Sequence, residues 1–275
     1  MALSVHTNDA ALIALQNLNN TTSGLQDVQN RISTGLAINS AKDNASVWAI
    51  AQGQRADIGS LSAVKSSLDR ATSIADVAAT AGQTISDLLV QMKTKVVAAM
   101  DPSIDTASRT ALDSDFKSIL RQITQVVQNA SFDGANMLNG SVNQIKFIAN
   151  ADATGFITLS SQNMSLGGAI ITVSAAASLG TITFATAVLA QLTSSISNTN
   201  QALGNLGSQT KAITNHNTFV QALSDQLTTG VGNLVDADLA KESARLQALQ
   251  VQQQLGTQAL SIANQAPQII LSLFK

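Results

Sequence analysis

The chain of 275 residues contains no cysteine and no tyrosine, and aromatic residues of all kinds make up only 3% of it. Without cysteine the protein can form neither a disulfide framework nor a thiolate metal site. Compact globular cores rely on aromatic bulk, whereas long helical packings are filled by Leu, Ile, Val and Ala. Because 45% of the residues are nonetheless hydrophobic, the composition predicts an extended helical body.

Charged residues are also scarce. They make up 12% of the chain, the net charge is −2, and Glu242 is the sole glutamate. With no basic run, binding to nucleic acids or acidic membranes is disfavoured. The polar positions are filled by Gln, Asn, Ser and Thr, which cost less to desolvate than charged side chains. Such a surface suits a subunit surrounded by its own copies; a soluble monomer with a mild surface is the alternative.

Neither a membrane anchor nor a cleaved leader is expected from the sequence. No apolar run approaches the ~20 residues needed to span a bilayer. The first residues lack the basic stretch followed by an apolar run that marks a secretory signal.

Residues that could carry catalysis or bind a metal are few. His6 and His216 are the only histidines, so a zinc site is not expected. His216 and Asp225 could be combined with one of many serines, but a catalytic triad also needs a preorganised oxyanion hole. The segment Gly230-Val231-Gly232 lacks the Gly and Lys of a phosphate loop. We therefore expect no enzymatic activity, no cofactor and no metal.

Apolar residues follow a helical period through most of the first half of the chain. Between Leu61 and Ala99 their spacing alternates between three and four, which predicts a heptad seam on a helix roughly 60 Å long at about 1.5 Å per residue. Asp101-Pro102 should end this helix, because the residue before proline resists helical geometry. A second helix is predicted from Leu112 to Ala130, before a tight turn at Phe132-Asp133-Gly134.

The periodicity changes over residues 141–184, where short runs of β-branched and apolar residues are separated by glycines. This pattern predicts hairpin strands at Ile145–Ile148, Phe156–Leu159, Ile170–Val173 and Thr181–Phe184. Helical spacing resumes from Leu189 to Leu234, with a loosened joint expected near Gly230.

Both ends of the chain are amphipathic at helical spacing. The first helix has an apolar face made of Ala11, Leu15, Leu18, Leu25, Val28 and Ile32, and the last has one made of Val235, Leu239, Leu246, Leu249, Leu260 and Ala263. Such faces must be buried against something, either each other or copies of themselves in an assembly. Because a lone helix pair buries little area, we expect it to be poorly ordered in the isolated subunit and to order on assembly.

The order of these elements is roughly palindromic: helix, joint, long helix, helix, strands, long helix, joint, helix. The simplest folding is a chain that turns back on itself, with the strands at one end and the terminal helix pair at the other. We therefore predict a mainly α fold, an elongated hairpin-like rod of long coiled-coil helices with a small β-hairpin region at the tip.

Two segments at opposite ends of the chain resemble signatures of the bacterial flagellin family. Residues 31–45 read Arg-Ile-Ser-Thr-Gly-Leu-Ala-Ile-Asn-Ser-Ala-Lys-Asp-Asn-Ala, similar to the family's Arg-Leu-Ser-Ser-Gly-Leu-Arg-Ile-Asn-Ser-Ala-Lys-Asp-Asp-Ala. Residues 263–268, Ala-Asn-Gln-Ala-Pro-Gln, followed by Leu271-Ser272-Leu273, resemble the family's final segment. Phe132-Asp133-Gly134 stands where flagellins have a similar Phe-Asn-Gly turn. The resemblance covers residues 1–140 and 190–275.

The resemblance implies a structural subunit that self-polymerises into the flagellar filament for swimming motility. Residues 1–33 and 235–275 would form a terminal helix pair in an inner tube, 34–57 a connector, 58–140 and 185–234 a helical bundle, and 141–184 its short β-hairpin region, with no outer inserted domains. The implied partners are other flagellin subunits, the flagellar export apparatus and its chaperone, and the filament cap and junction proteins. Nucleic-acid binding and membrane insertion are not implied, and the protein would be secreted to the extracellular flagellum.

The resemblance also assigns site residues. The residues implied to pack in the inner tube are Leu15, Leu18, Leu25, Val28, Ile32, Leu239, Leu246, Leu249, Leu260, Leu271 and Leu273. The connector residues implied to contact neighbouring subunits are Arg31, Gly35, Asn39, Ser40, Lys42 and Asp43. An equally weighted alternative is that Arg31 with Asp27, and Lys42 with Asp43, are solvated surface charges worth under ~1 kcal/mol each.

The sequence departs from the family pattern in three regions, one of which is the final Phe274-Lys275 in place of Leu-Arg. In the connector, Ala37 replaces an arginine and Trp48 a small or aliphatic residue, so contacts there are expected to differ in detail. On the surface that the animal innate flagellin receptor recognises, Gln91 replaces the key arginine and Lys95 a leucine, while Asp115 retains the acid. The resemblance therefore implies weak activation of that receptor.

Two other functions compete with the filament subunit. A hook–filament junction protein shares flagellin-like ends, although the connector and C-terminal segments favour flagellin. A secreted adhesin or host-interaction protein would need an exposed binding surface, for which the short middle region offers little.

Overall fold

Long helices dominate the computed structural model, which describes residues 7–273, with side chains described up to residue 265. The described residues form five helices and four short strands: α1 (Asp9–Thr34), α2 (Ala45–Ala99), α3 (Thr106–Asn129), β1 (Ser131–Phe132), β2 (Ala135–Asn136), β3 (Gln144–Ile148), β4 (Phe156–Ser160), α4 (Ile182–Val235) and α5 (Leu239–Leu273). The mainly α fold with a small antiparallel strand region is thus confirmed. None of the described helices combines the length and the apolar character that crossing a membrane requires.

The chain divides into two compact units. The first consists of the described residues up to Ala56 together with those from Gln226 onwards, and the second of Asp57–Asp225. Helices α2 and α4 contribute residues to both. The first unit contains α1 and α5, and the second contains α3 and all four strands.

The core of the second unit is built on the seam predicted for α2. All of its large apolar members are buried: Leu61, Val64, Leu68, Ile85, Leu89, Met92 and Val96. Gly82 lies in the same seam, where a Cβ atom would come within 2.8 Å of Cδ2 of Leu203 on α4. The absence of a side chain at Gly82 therefore allows α2 and α4 to approach closely.

Local hydrogen bonds set the boundary between α2 and α3. Helix α2 ends at Ala99, close to the predicted break at Asp101-Pro102. The Asp105 side chain caps α3 by accepting a hydrogen bond from the Ser108 backbone at 2.7 Å. The Arg109 guanidinium donates back to the Ala99 carbonyl at 2.6 Å, and satisfies an acceptor at the end of α2 that has no partner within the helix.

The strands form two antiparallel hairpins. β1 and β2 are joined by Asp133 and Gly134, both at positive φ (49° and 75°), which is the geometry of a two-residue hairpin turn. β3 pairs with β4 in the register Gln144↔Ser160 to Ile148↔Phe156. Both hairpins lie where the sequence predicts turns or strands.

Two of the four predicted strands are wrong. Residues 170–173 form no strand beyond an isolated bridge between Leu166 and Ile171, although Ile171 and Val173 are fully buried. Residues 182–184 begin α4. At 170–173 the β-branched residues Ile171 and Val173 are used for packing without a neighbouring strand to pair with, whereas Ile182 and Phe184 are exposed in the first turn of α4. The joint expected near Gly230 is also absent, since α4 continues to Val235.

Candidate assembly surface

Helices α1 and α5 pack against each other in antiparallel orientation. Leu249 of α5 lies over Gly24 of α1, and Leu18 of α1 lies over Gly256 of α5. Near the start of α1, the Asn8 side chain donates to the carbonyl of Ala263 at 2.7 Å. The glycines let leucine side chains of the partner helix pack directly on the backbone.

The structure places most of the predicted inner-tube residues on this mutual face. Val28 is 1% exposed and is the only buried residue of α1. The other residues of the face are half-buried: Leu18, Leu25, Ile32, Leu246, Leu249 and Leu260. Leu15 and Leu239 are exposed. The side chains of Leu271 and Leu273 lie outside the described residues.

A second set of apolar residues on these helices points away from the partner helix. Leu12 and Ile13 on α1 are largely exposed, and so are Val251, Leu255 and Ile262 on α5. The apolar faces predicted from helical spacing include none of these five residues. Because each group points away from the other helix, the two groups lie on different sides of the pair, and both are left uncovered in the free subunit.

A short backbone ladder joins the two chain segments next to the helix pair. Gly35 ends α1 at a φ of 73°, a left-handed conformation that favours glycine. The Ala37 amide then donates to the Val235 carbonyl at 2.7 Å, and the Ala237 amide donates to the Gly35 carbonyl at 2.9 Å. The connector and the start of the last segment are therefore held by main-chain bonds that do not depend on side-chain identity.

Arg31 is paired differently from the surface pair considered with Asp27. Its guanidinium Nη1 lies 3.3 Å from Oε1 of Glu242, the chain's single glutamate, which is buried. Glu242 Oε2 is also buried and has no hydrogen-bond partner among the described residues. The sequence could not predict this pair, because its members are 211 residues apart.

Asp43 organises the rest of the connector. Its carboxylate accepts hydrogen bonds from the Ser40 amide at 2.9 Å, the Ser40 hydroxyl at 3.1 Å and the Asn39 amide at 3.1 Å. The Ser40 backbone and side-chain hydrogen bonds are the main causes that lower the pKa of Asp43, with smaller contributions from Asn39 and from the charge of Arg31. Asp43 thus stabilises the turn before α2, and contacts of the connector with a neighbouring subunit stay a prediction.

The residues aligned with the receptor surface lie on α2 and α3. Lys95 Nζ forms an ion pair with Asp115 Oδ2 at 2.7 Å, and Gln91 is exposed. Lys95 and Asp115, both assigned to this surface only by resemblance, are therefore paired with each other. Weak receptor activation stays a prediction.

The described residues contain no cluster of three or more His, Cys, Asp or Glu side chains that could hold a metal ion. His216 Nε2 lies 2.7 Å from the carbonyl of Ala149, so this ring contacts the loop after β3. The feature of the described chain that is best suited to a function is therefore its apolar terminal surface.

Comparison with known proteins gives a consistent result over the whole chain. Residues 5–143 match the family model of the bacterial flagellin N-terminal helical region, and residues 189–274 match that of the bacterial flagellin C-terminal helical region. The chain is 54% identical to Flagellin FljJ of Caulobacter vibrioides, with 100% of this chain and 99% of the relative covered. It is 38% identical to a flagellin of Brucella melitensis, with 99% of each covered. The crystal structure of Bacillus cereus flagellin aligns at 16% identity with a TM-score of 0.49, over 55% of this chain and 86% of that chain.

Proposed function

The chain belongs to the bacterial flagellin family, and we propose that α1 and α5 form the surface through which its copies assemble. The protein is a structural subunit of the bacterial flagellar filament, as expected for a chain that matches several flagellins over 99–100% of their length. Its activity is self-polymerisation. The observation that carries the proposal is the apolar set on the outer sides of the terminal helix pair, Leu12, Ile13, Val251, Leu255 and Ile262.

Burial of this set in neighbouring copies supplies the driving force for assembly. Each large aliphatic side chain contributes about 1.5–3 kcal/mol when it is fully removed from water. The same surface is present on every copy, and a contact between two different patches that does not close a ring generates an open helical polymer. Few charges need to be desolvated in the process, because only 12% of the chain is charged.

The place and route of assembly follow from the same proposal. The subunit would leave the cell through the flagellar export apparatus, accompanied until then by a chaperone on its C-terminal helix, and would polymerise outside the cell beneath a cap. Junction proteins would connect the polymer to the hook. Support for these partners comes from family membership, and the low charge and absence of cysteine suit a chain that is threaded through a channel and then buried among copies.

The substitution Leu255→Asp tests the assembly surface. Leu255 is 58% exposed in the subunit, so a charge there does not disturb the packing of α1 against α5, but it would have to be buried without a partner in the filament. We expect loss of filaments and of swimming. The measurement is electron microscopy of cells together with circular dichroism of the purified subunit.

Gln254→Asp is the matched control, since it places the same charge on the adjacent, already polar and exposed position. It should retain filaments. Leu25→Asp and Leu249→Asp, on the mutual face of the two helices, should abolish filaments while the bundle of residues 60–230 stays folded. Normal swimming of the Leu255→Asp strain would contradict the proposal.

A further inference from the structure

Asn139 and Gly140 form the only Asn-Gly pair in the chain, and they lie in the loop between β2 and β3. Both residues are exposed. A main-chain nitrogen attacks the side-chain amide of the preceding asparagine most easily when it belongs to glycine, because no Cβ stands beside that nitrogen. Whether the folded chain permits this attack depends on the hydrogen bonds around the two residues.

The fold itself requires glycine at residue 140. Its φ is 74°, a left-handed conformation that strains residues with a side chain. A Cβ atom there would also come within 2.6 Å of Nδ2 of Asn163. The residue that makes Asn139 susceptible to attack is therefore fixed by the backbone of this loop.

The two nitrogen atoms that would take part in the reaction are not engaged elsewhere. In the part of the chain that the structure describes, no group accepts a hydrogen bond from the Gly140 main-chain N–H or from Nδ2 of Asn139. The first is the attacking nitrogen and the second is the leaving group. Attack therefore breaks no hydrogen bond of the folded chain at either atom.

The carbonyl of the Asn139 side chain is held close to the attacking nitrogen. Its Oδ1 accepts a hydrogen bond from the Ser141 amide at 2.9 Å, which closes a ring that contains the Gly140 nitrogen and so keeps Cγ of Asn139 near it. The Ser141 N–H also points at the oxygen on which negative charge develops as nitrogen adds to Cγ, as a donor of an oxyanion hole does. On the other side, the Asn139 amide donates to Oδ1 of Asn136 at 3.1 Å.

From this arrangement we propose that Asn139 is a site of spontaneous covalent modification. A bond forms between the Gly140 nitrogen and Cγ of Asn139, the Cγ–Nδ2 bond breaks, and Nδ2 leaves as ammonia with the proton that the Gly140 nitrogen gives up through solvent. Water then adds to either carbonyl of the five-membered imide, which yields aspartate or isoaspartate at residue 139. The reaction uses no enzyme and no cofactor, so its extent increases with the age of the molecule.

Asn136, three residues earlier, shows the opposite arrangement. It is buried, and its Nδ2 donates to the carbonyls of Val127 and Gln128 at 2.8 and 3.3 Å. Its Oδ1 accepts from the amides of Leu138 and Asn139 at 2.8 and 3.1 Å. Closure of this side chain on the next main-chain nitrogen would break buried hydrogen bonds at both of its polar atoms. Asn136 therefore serves as an internal control in the same loop.

The products differ from the original chain in charge and in main-chain length. Each product adds a negative charge to a chain whose net charge is −2, so modified molecules can be separated by anion exchange. Isoaspartate also inserts a methylene into the main chain directly after Leu138, whose carbonyl accepts a hydrogen bond from the Met164 amide at 2.8 Å. The modification therefore falls where the chain leaves its packed segment and runs towards β3.

Ageing of the purified full-length protein tests the site. Samples are kept folded at neutral pH or unfolded in guanidinium chloride, and are digested with trypsin at intervals, with the zero-time sample as background. The tryptic peptide of residues 122–146 contains Asn129, Asn136, Asn139 and Asn143. Fragmentation in the mass spectrometer locates the mass gain from amide to acid and separates aspartate from isoaspartate. We expect Asn139 in the folded protein to react about tenfold faster than each of the other three, or more.

The comparison of folded with unfolded chains separates the contribution of the fold from that of the Asn-Gly sequence. Because the fold leaves both nitrogens unengaged and holds the carbonyl in place, Asn139 should react in the folded protein at least as fast as in the unfolded chain. The variant Asn139→Ser, which keeps an acceptor for the Ser141 amide, should show no gain above background.

Two results overturn the inference. One is a reaction at Asn139 that is more than about threefold slower in the folded protein than in the unfolded chain. The other is a difference from the remaining asparagines of the peptide that is smaller than the expected one. Neither result bears on the proposed function, because the reaction is measured on the free subunit and does not involve assembly.

Discussion

Asp113 shows how a single buried carboxylate fixes a segment that has no regular structure. Its Oδ1 accepts hydrogen bonds from the Leu179 amide at 2.6 Å and from the Ser178 hydroxyl at 2.9 Å. Its Oδ2 lies 2.6 Å from Nζ of Lys117. Burial raises the pKa of Asp113, but the hydrogen bonds from Lys117, Leu179 and Ser178, with the charge of Lys117, outweigh burial and lower the pKa below its ordinary value of 3.8. The charged form is therefore the one that holds the segment before α4 on α3.

This lowered pKa predicts a loss of stability in acid. A group with a lowered pKa in the folded state stabilises the protein above its unfolded pKa, and the contribution is lost as the pH falls through the folded value. Below about pH 4 the unit of residues 57–225 should lose stability, and Asp113→Asn should make that loss shallower. At pH 7 the substitution should lower the free energy of unfolding by about 1–3 kcal/mol, because it removes a charged acceptor. Urea unfolding of the monomer at pH 7 and pH 3 measures both effects.

Asp57→Asn is the control, because Asp57 is exposed on α2. It should change the free energy of unfolding at pH 7 by no more than about 0.5 kcal/mol, as usual for a surface substitution. If the free energy of unfolding of both variants falls between pH 7 and pH 3 by as much as that of the unmodified protein, Asp113 is not the cause of the loss of stability in acid.

At the scale of helices, Arg31 and Glu242 connect the end of α1 to the start of α5. Arg31 lies in the last turn of α1 and Glu242 in the first turn of α5, where a cation and an anion respectively complement the helix dipoles. Burial is unequal: the Glu242 side chain is 10% exposed and that of Arg31 35%. The two members of the pair should therefore respond differently to substitution.

We expect Arg31→Ala to destabilise the terminal pair more than Glu242→Gln. The first substitution leaves a buried carboxylate without a counter-charge, which costs about 1–3 kcal/mol or more, whereas the second leaves an arginine that can turn towards solvent. The double variant should recover part of the loss. The measurement is the temperature at which filaments depolymerise. A double variant less stable than Arg31→Ala alone would contradict this account.

Sequence periodicity predicts where the helices of this protein lie better than it predicts which elements and residues pack against each other. The seam of α2 could be predicted, because buried Leu and Val at alternating spacings of three and four report directly on one helix face. The strand predicted at 170–173 is wrong, because a buried apolar run carries no information on whether a second strand is available to pair with it. Contacts over long separations, such as Arg31 with Glu242 or Asp113 with Leu179, depend on tertiary packing and leave no local signal.

The same distinction holds for the candidate assembly surface. The apolar faces of the two terminal helices could be predicted from their helical spacing, and Val28 is indeed buried. The outward set, with Ile13, Val251 and Ile262, could not be predicted in this way, because identifying it requires knowing which face of each helix the partner helix covers.

At the scale of the whole molecule, the burial of apolar residues is concentrated in the unit of residues 57–225. Helix α3 alone buries Phe116, Ile119, Leu120, Ile123 and Val127, whereas α1 buries only Val28. Because a helix pair is stabilised mainly by the apolar face that it buries, α1 and α5 should open far more readily than α2 and α3 in a free subunit.

Amide hydrogen exchange can measure this difference. In a verified monomer, residues 9–30 and 242–265 should exchange with little protection, and residues 61–99 should be strongly protected. In filaments both regions should be protected, because neighbouring copies then cover Leu12, Ile13, Val251, Leu255 and Ile262 and add the burial that the isolated pair lacks. The α2 segment is the internal control, since its protection does not depend on assembly. Strong protection of both terminal helices in the monomer would mean that the pair is stable by itself, and that assembly gains little from ordering it.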